Sequence, residues 1–184
     1  MNKAAIRGFT IIELMLAIFI TAILLALAIP SFKTMLLNYQ LRTVAEGINN
    51  GLQLARAEAV RRNTNVEFTL GAGSDWTVGC QIEVGDDDGD GVDDCPLEIQ
   101  SKSSNESGTL AILSVQPAGT QKVTFNGLGR VTANNDGTDS ISRIDIDIDG
   151  LDEEDSRDLR IVISGGSVHF CDPNVTADGD PRAC

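Results

Sequence analysis

Phe9–Pro30 reads FTIIELMLAIFITAILLALAIP, and from Phe9 to Ile29 only Thr10, Glu13 and Thr21 interrupt the apolar run. As a helix, such a run is long enough to cross a hydrocarbon core of about 30 Å. The flank before it, MNKAAIRG, holds Lys3 and Arg7 and no acid. Positive charge on that short flank predicts a single-pass segment with a cytoplasmic N-terminus and the rest of the chain across the membrane. A removable secretory signal fits poorly. No A-x-A-like site precedes a polar stretch, and the apolar run exceeds an ordinary h-region. Glu13 is the exception within the run. A carboxylate at the start of a membrane helix is costly unless it lies near the headgroups or meets a cation. Glu13 is therefore expected at the interface, or paired with a positive charge when subunits pack together.

Beyond the run, Pro30 removes one helical hydrogen bond and is expected to kink the axis. The helix resumes, because Leu37, Leu41, Val44, Ile48, Leu52, Ala55 and Ala59 recur at steps of three and four. Arg42, Glu46, Asn49, Asn50 and Gln53 form the opposite, polar face. Gly47 and Gly51 each lower helix propensity by about 1 kcal/mol, which suggests close approach of a strand. The helix is expected to end near Asn63. Arg56, Arg61 and Arg62 resemble a nucleic-acid patch, but cations in the last turns also suit the helix dipole.

Charge divides the chain at the same place. Of its 184 residues, 14 are basic and 27 acidic, for a net charge of −13. Residues 1–62 carry 7 basic and 3 acidic side chains, a net of +4; residues 63–184 carry 7 and 24, a net of −17. Such an acidic part repels phosphate backbones, so DNA is an unlikely partner. One histidine and no nucleophile–base set argue against an enzyme. With 42% hydrophobic residues the chain can still bury a core.

Short strands with turn signals fill the acidic part, at 65–70, 76–84, 97–101, 109–115, 121–125, 141–148 and 159–170. In Ile141–Ile148 the residues Ile144, Ile146 and Ile148 alternate with Asp145 and Asp147. One face of that strand enters the core, and the charged face protects against unwanted pairing. Leu159–Ile163 and Val168–Phe170, joined by Gly165-Gly166, suggest a closing hairpin. Asp86, Asp88 and Asp90, followed by Gly91, fit the opening of a calcium loop. The position that should carry a bidentate Glu is Leu97, and no second helix follows. Any calcium site is therefore weak, at about 10⁻⁴–10⁻³ M, and a solvated acidic turn is the plainer account. The same pattern at Asp145–Gly150 lies on a strand, which argues against metal. No other cofactor is implied.

Cys80, Cys95, Cys171 and Cys184 all lie beyond the apolar run, and an even count in an exported domain suggests disulfides. Three connectivities are open. Neighbour pairing would staple the acidic turn and pin the tail 172–183, each link contributing about 3 kcal/mol. Zinc is a poor rival, since no C-x₂-C pair exists and His169 stands alone.

The segment Gly8-Phe9-Thr10-Ile11-Ile12-Glu13-Leu14 resembles the processing signature of type IV pilins and type II secretion pseudopilins. The resemblance implies that prepilin peptidase cuts between Gly8 and Phe9 and that Phe9 is N-methylated. It also implies that Glu13 pairs with the N-terminal amine of a neighbouring subunit. Leu54-Ala-Arg-Ala-Glu-Ala-Val60, the strand Asp75–Gly79 with its Trp76, and Phe125–Arg130 are similar to the FimT/FimU and H-type pseudopilin group, the GspH/FimT family.

That group implies an α+β fold: a long N-terminal helix, transmembrane then amphipathic, packed on an antiparallel β-sandwich-like domain. The expected divisions are a cleaved leader 1–8, a membrane segment 9–29, an amphipathic helix 30–62 and a periplasmic or extracellular β domain 63–184. The implied role is structural, priming a pilus or pseudopilus or forming part of its tip. The implied partners are prepilin peptidase, other minor pilins or pseudopilins, the major pilin and the inner membrane. DNA-binding members carry a basic G-R-x-R-like segment before the first tail cysteine. Here Gly166-Ser-Val-His-Phe-Cys171 lacks both arginines, which disfavours a role in DNA uptake.

Overall fold

A computed structural model describes residues 10–85, 94–104, 110–152, 154–177 and 179–184. Two units divide the chain, Met1–Leu36 and Leu37–Cys184. One helix, α1 (Ile11–Arg62), runs through both and includes Pro30. In the first unit every residue from Thr10 to Lys33 is exposed. An exposed apolar helix needs a lipid or protein environment to offset the cost of wetting it.

Burial on α1 begins at Leu37. Each residue of the expected apolar face, from Leu37 through Leu52 to Ala59, is buried, and Ala45 joins them. The helix ends as its sequence foretells. Asn63 adopts a left-handed conformation at φ 51°. Its N–H donates to the Val60 carbonyl at 3.3 Å, and the Thr64 N–H donates to that of Ala59 at 3.2 Å. This is the Schellman arrangement, with asparagine in place of the usual glycine.

Among the described residues nine strands follow: β1 (Val66–Leu70), β2 (Trp76–Cys80), β3 (Gln100–Lys102), β4 (Ala111–Gln116), β5 (Lys122–Phe125), β6 (Val131–Thr132), β7 (Arg143–Ile148), β8 (Leu159–Ser164) and β9 (Ser167–Cys171). They form two antiparallel sheets, ordered β3-β2-β1-β5-β6 and β4-β7-β8-β9. Alternation sets the buried faces: Val66, Phe68 and Leu70 on β1, and Ile144, Ile146 and Ile148 on β7. These residues, with Ile161, Val123 and the buried stripe of α1, form one core.

Two expectations need correction. The strand expected over 76–84 stops at Cys80: the Gln81 N–H donates to Asn65 (3.0 Å) as the last rung to β1, whose residues before Val66 belong to the helix and its cap, while the Cys80 N–H turns to the Pro96 carbonyl (2.9 Å). Val84 instead makes an isolated bridge with Cys95. The strand expected over 97–101 shifts to Gln100–Lys102, since the Leu97 carbonyl crosses over Gly79 rather than joining the ladder. β6 is too short to leave a sequence pattern. The Gly165-Gly166 hairpin forms as expected, with φ values of 62° and 124°.

Candidate functional site

The N-terminal end of α1 is built by Thr10. Its hydroxyl accepts the Glu13 N–H at 3.3 Å and its carbonyl accepts the Leu14 N–H at 3.2 Å. Thr10 is thus the N-cap, and Glu13 is the third helical residue, where a carboxylate suits the positive end of the helix dipole. The Thr-x-x-Glu spacing of a capping box, which overlaps the processing signature, is the sequence signal for this N-cap. Glu13 is exposed, and among the described residues its carboxylate has no ion-pair partner. Next to it lies an uncovered apolar surface, with Ile11 81% and Leu27 72% exposed. Chemically, among the described residues this stretch of apolar helix carries one negative charge, Glu13, which a cation on another molecule can neutralise. Gly8 and Phe9 lie outside the described residues.

The rest of α1 is a docking stem for the sheets. An added Cβ on Gly51 would lie 2.8 Å from Cε2 of Phe68 and 3.0 Å from the Trp76 ring, and one on Gly47 would lie 2.8 Å from Lys102 Nζ. The two glycines therefore let strand side chains press against the helix backbone. Phe68 and Trp76 themselves stack at 6.1 Å between centroids. The arginines at the end of the helix are engaged by the chain itself. Arg56 donates to the Gly129 carbonyl at 3.2 Å, Arg61 and Arg62 bind Glu58 at 2.6 and 2.9 Å, and Arg62 also reaches the Asp94 carbonyl. The hydrogen bond from Arg61 holds Glu58 below the ordinary carboxylate pKa; burial opposes it, and the hydrogen bond from Arg62 adds to the lowering. These contacts leave little of a nucleic-acid patch.

Disulfides join Cys80 to Cys95 and Cys171 to Cys184, with Cα–Cα distances of 5.6 and 5.2 Å. The second link holds the tail beside β9, where the Asp172 N–H donates to the Arg182 carbonyl at 2.7 Å. Asp86, Asp88 and Asp90 lie outside the described residues. Among the described residues no three His, Cys, Asp or Glu side chains gather as a metal site. Asp145, in the second calcium-like pattern, binds Arg143 at 3.0 Å and also Arg160. Asp136 is held down to a pKa of about 2 by hydrogen bonds from the Thr138 hydroxyl and amide and by Lys122. Asp158 shifts the other way. Burial raises its pKa, and Asp147 adds to the rise across the shared Ser156 hydroxyl. The stretch Gly166–Cys171 forms a turn and β9, with His169 exposed.

Comparison with known proteins bears on both ends of the chain. The family described as type II transport protein GspH matches residues 44–167, and the prokaryotic N-terminal methylation motif matches residues 3–29. No curated protein sequence matches the chain. Among solved structures, the type IV minor pilin FimU of Pseudomonas aeruginosa is similar at 18% identity and a TM-score of 0.46, over 74% of this chain and 95% of that one. The solution structure of Escherichia coli GspH is similar at 15% identity and a TM-score of 0.44, over 76% and 92%. With the family match spanning most of the α1 stem and the strands from β1 through β8, the chain belongs to the GspH family and is a structural subunit of the pilin and pseudopilin kind.

Proposed function

We propose that the chain is a minor subunit that primes a pseudopilus or pilus, or forms part of its tip, after insertion in the inner membrane with its N-terminus in the cytoplasm. Residues 1–8 are the leader, 9–29 the membrane segment, 30–62 the amphipathic helix and 63–184 the exported β domain. Prepilin peptidase cuts between Gly8 and Phe9, and Phe9 is methylated. Glu13 pairs with the terminal amine of a neighbouring subunit, and an axial bend lies at Pro30. The observation that carries this proposal is the apolar helix headed by Glu13, exposed from Thr10 to Lys33. An unpaired charge in such a setting costs several kcal/mol, so the pairing fixes the axial register between subunits.

The family description favours protein export by type II secretion; assembly into a type IV pilus rests on the same surfaces. The other partners are the remaining minor pilins or pseudopilins and the major pilin. DNA is not a partner, and calcium at Asp86, Asp88 and Asp90 is at most weak. The test is a pair of variants in the membrane fraction. Gly8→Val is expected to retain the leader by mass spectrometry. Glu13→Val is expected to be cleaved and methylated yet to assemble poorly. Normal filament number or secretion with Glu13→Val would overturn the pairing, and a mature Phe9 terminus with Gly8→Val would overturn the cleavage assignment.

A further inference from the structure

The two sheets have four edges, and they are unequal. β3 has three residues and β6 has two. β9 carries His169 on its exposed face and meets the tail at its end, where Asp172 bridges Ala183 and the Cys171–Cys184 link holds the pair. β4 has six residues, Ala-Ile-Leu-Ser-Val-Gln, with no charge, proline or glycine. Soluble proteins commonly protect an edge by shortening, charging, bulging or covering it. Among the described residues β4 carries none of these protections.

Its backbone polarity follows from the ladder. The Asp149 N–H donates to the Leu110 carbonyl and the Ser142 N–H to that of Gln116, both at 2.8 Å. With the register running from Ala111↔Ile148 to Gln116↔Arg143, the even-numbered residues turn their backbone groups toward β7. Those of Ala111, Leu113 and Val115 face the open side, where no strand lies among the described residues. A cavity of about 420 Å³ opens beside them, lined by Leu113 and Val115 from β4 and by Leu70, Gly71, Gly73 and Thr120 opposite. On the outer face Ile112 is 52% exposed, and Ser114 and Gln116 are neutral. The edge thus offers unpaired N–H and C=O groups together with room for side chains.

Charge decides what fits. Residues 63–184 carry a net of −17, and the outer face of β7 next to this edge bears Asp145 and Asp147 against one cation, Arg143, which pairs with Asp145, with Asp149 just beyond the strand. A second copy would bring the same acidic surface against the first. We infer that the free edge of β4 receives an extended segment of a different polypeptide as an added strand. That segment places apolar side chains at alternate positions over the cavity and neutral or basic ones on the outer face. Main-chain hydrogen bonds to Ala111, Leu113 and Val115 hold it, and the 420 Å³ cavity reads its side chains.

The test uses the full chain in the cells that naturally express it. A photo-crosslinking amino acid is placed singly at Ile112, Ser114 and Gln116, and adducts are mapped by mass spectrometry. The expected result is one partner polypeptide, crosslinked at positions two residues apart for each two-residue step along β4. In that background Val115→Pro removes an outward N–H while leaving the bonds to β7, a change edge strands tolerate. It is expected to cut adduct yield at least tenfold, whereas Val115→Thr keeps the yield. Formation of both disulfides checks folding, and Ala111→Pro replaces any variant that fails that check. If neither proline variant folds, the two-residue spacing decides. Adducts between two copies of this chain, adducts without that spacing, no adducts, or full yield in a folded proline variant each overturn the inference.

Discussion

Gly79→Ala is a severe test of how segment 96–99 packs against β2. A Cβ at Gly79 would lie 1.6 Å from the Leu97 carbonyl oxygen, 2.4 Å from its carbon and 3.1 Å from the Glu98 nitrogen. Both sides of this contact are backbone, so no rotamer change relieves it. The segment 96–99 must retreat by more than an atomic radius. Retreat breaks the clamp made by the Cys80 N–H on the Pro96 carbonyl (2.9 Å) and the Ile99 N–H on that of Val78 (2.7 Å). Each lost backbone bond costs about 1 kcal/mol, and residual overpacking costs about 1–3 kcal/mol more. The lower entropy of an unfolded alanine offsets roughly 0.4–1 kcal/mol. The net expectation is a loss of about 2–4 kcal/mol, or roughly 5–15 °C in Tm for a chain of this size. Trp76 is the single tryptophan of the chain and lies on β2, so its emission during thermal unfolding of the full chain in detergent reports this region. Gly85→Ala is the control, because no described residue lies within 4 Å of its added Cβ. A Gly79→Ala midpoint within about 1 °C of both wild type and Gly85→Ala would refute the backbone-contact argument.

Three other expectations follow from the same geometry. Reducing either disulfide, at sequence separations of 15 and 13, should cost about 3 kcal/mol in the chain-entropy account, read as a drop in Tm with reductant that Cys→Ser variants reproduce singly. Asn63→Ala places an ordinary side chain in the left-handed region and should cost about 1–2 kcal/mol, while Asn63→Gly should unfold near wild type; equal denaturant midpoints for the two would remove the cap from the account. The pH dependence has two opposite signs. The folded pKa of Asp136 is about 2 against an ordinary 3.8, so its stabilisation is present above the ordinary value and is lost as pH falls through about 2; Asp136→Asn should flatten the acid limb of the melting curve. The raised pKa of Asp158 means that folding takes up a proton there, so Asp158→Asn should stabilise the protein at neutral pH and lose that advantage in acid.

The sequence by itself determined the features that are local or periodic. An apolar run headed by a basic flank specifies a membrane-length helix, because length and transfer energy act along the chain. The step of three and four from Leu37 to Ala59 specified the buried face of α1 residue by residue, and the alternation in Ile144–Ile148 did the same for β7. Gly165-Gly166 specified a hairpin because two successive left-handed residues close only certain turns. Glu13 was legible because a carboxylate in an apolar run stands out in one dimension.

Other features arose only when distant segments met. The strand over 76–84 ended early because its partner β1 begins only after the helix cap at Asn63, and that cap does not lie near Cys80 in the chain. The cysteine pairing depended on which strand ends lay side by side, a matter of spacing in three dimensions that three equally simple connectivities conceal. Gly79 looked like any strand glycine until the Leu97 carbonyl was found above it. Whether β4 is an edge or a central strand is likewise absent from Ala111–Gln116, because edge status belongs to the order of a sheet and not to any strand within it. Local patterns fix the elements, whereas the tertiary fold decides which backbone groups are left without a partner.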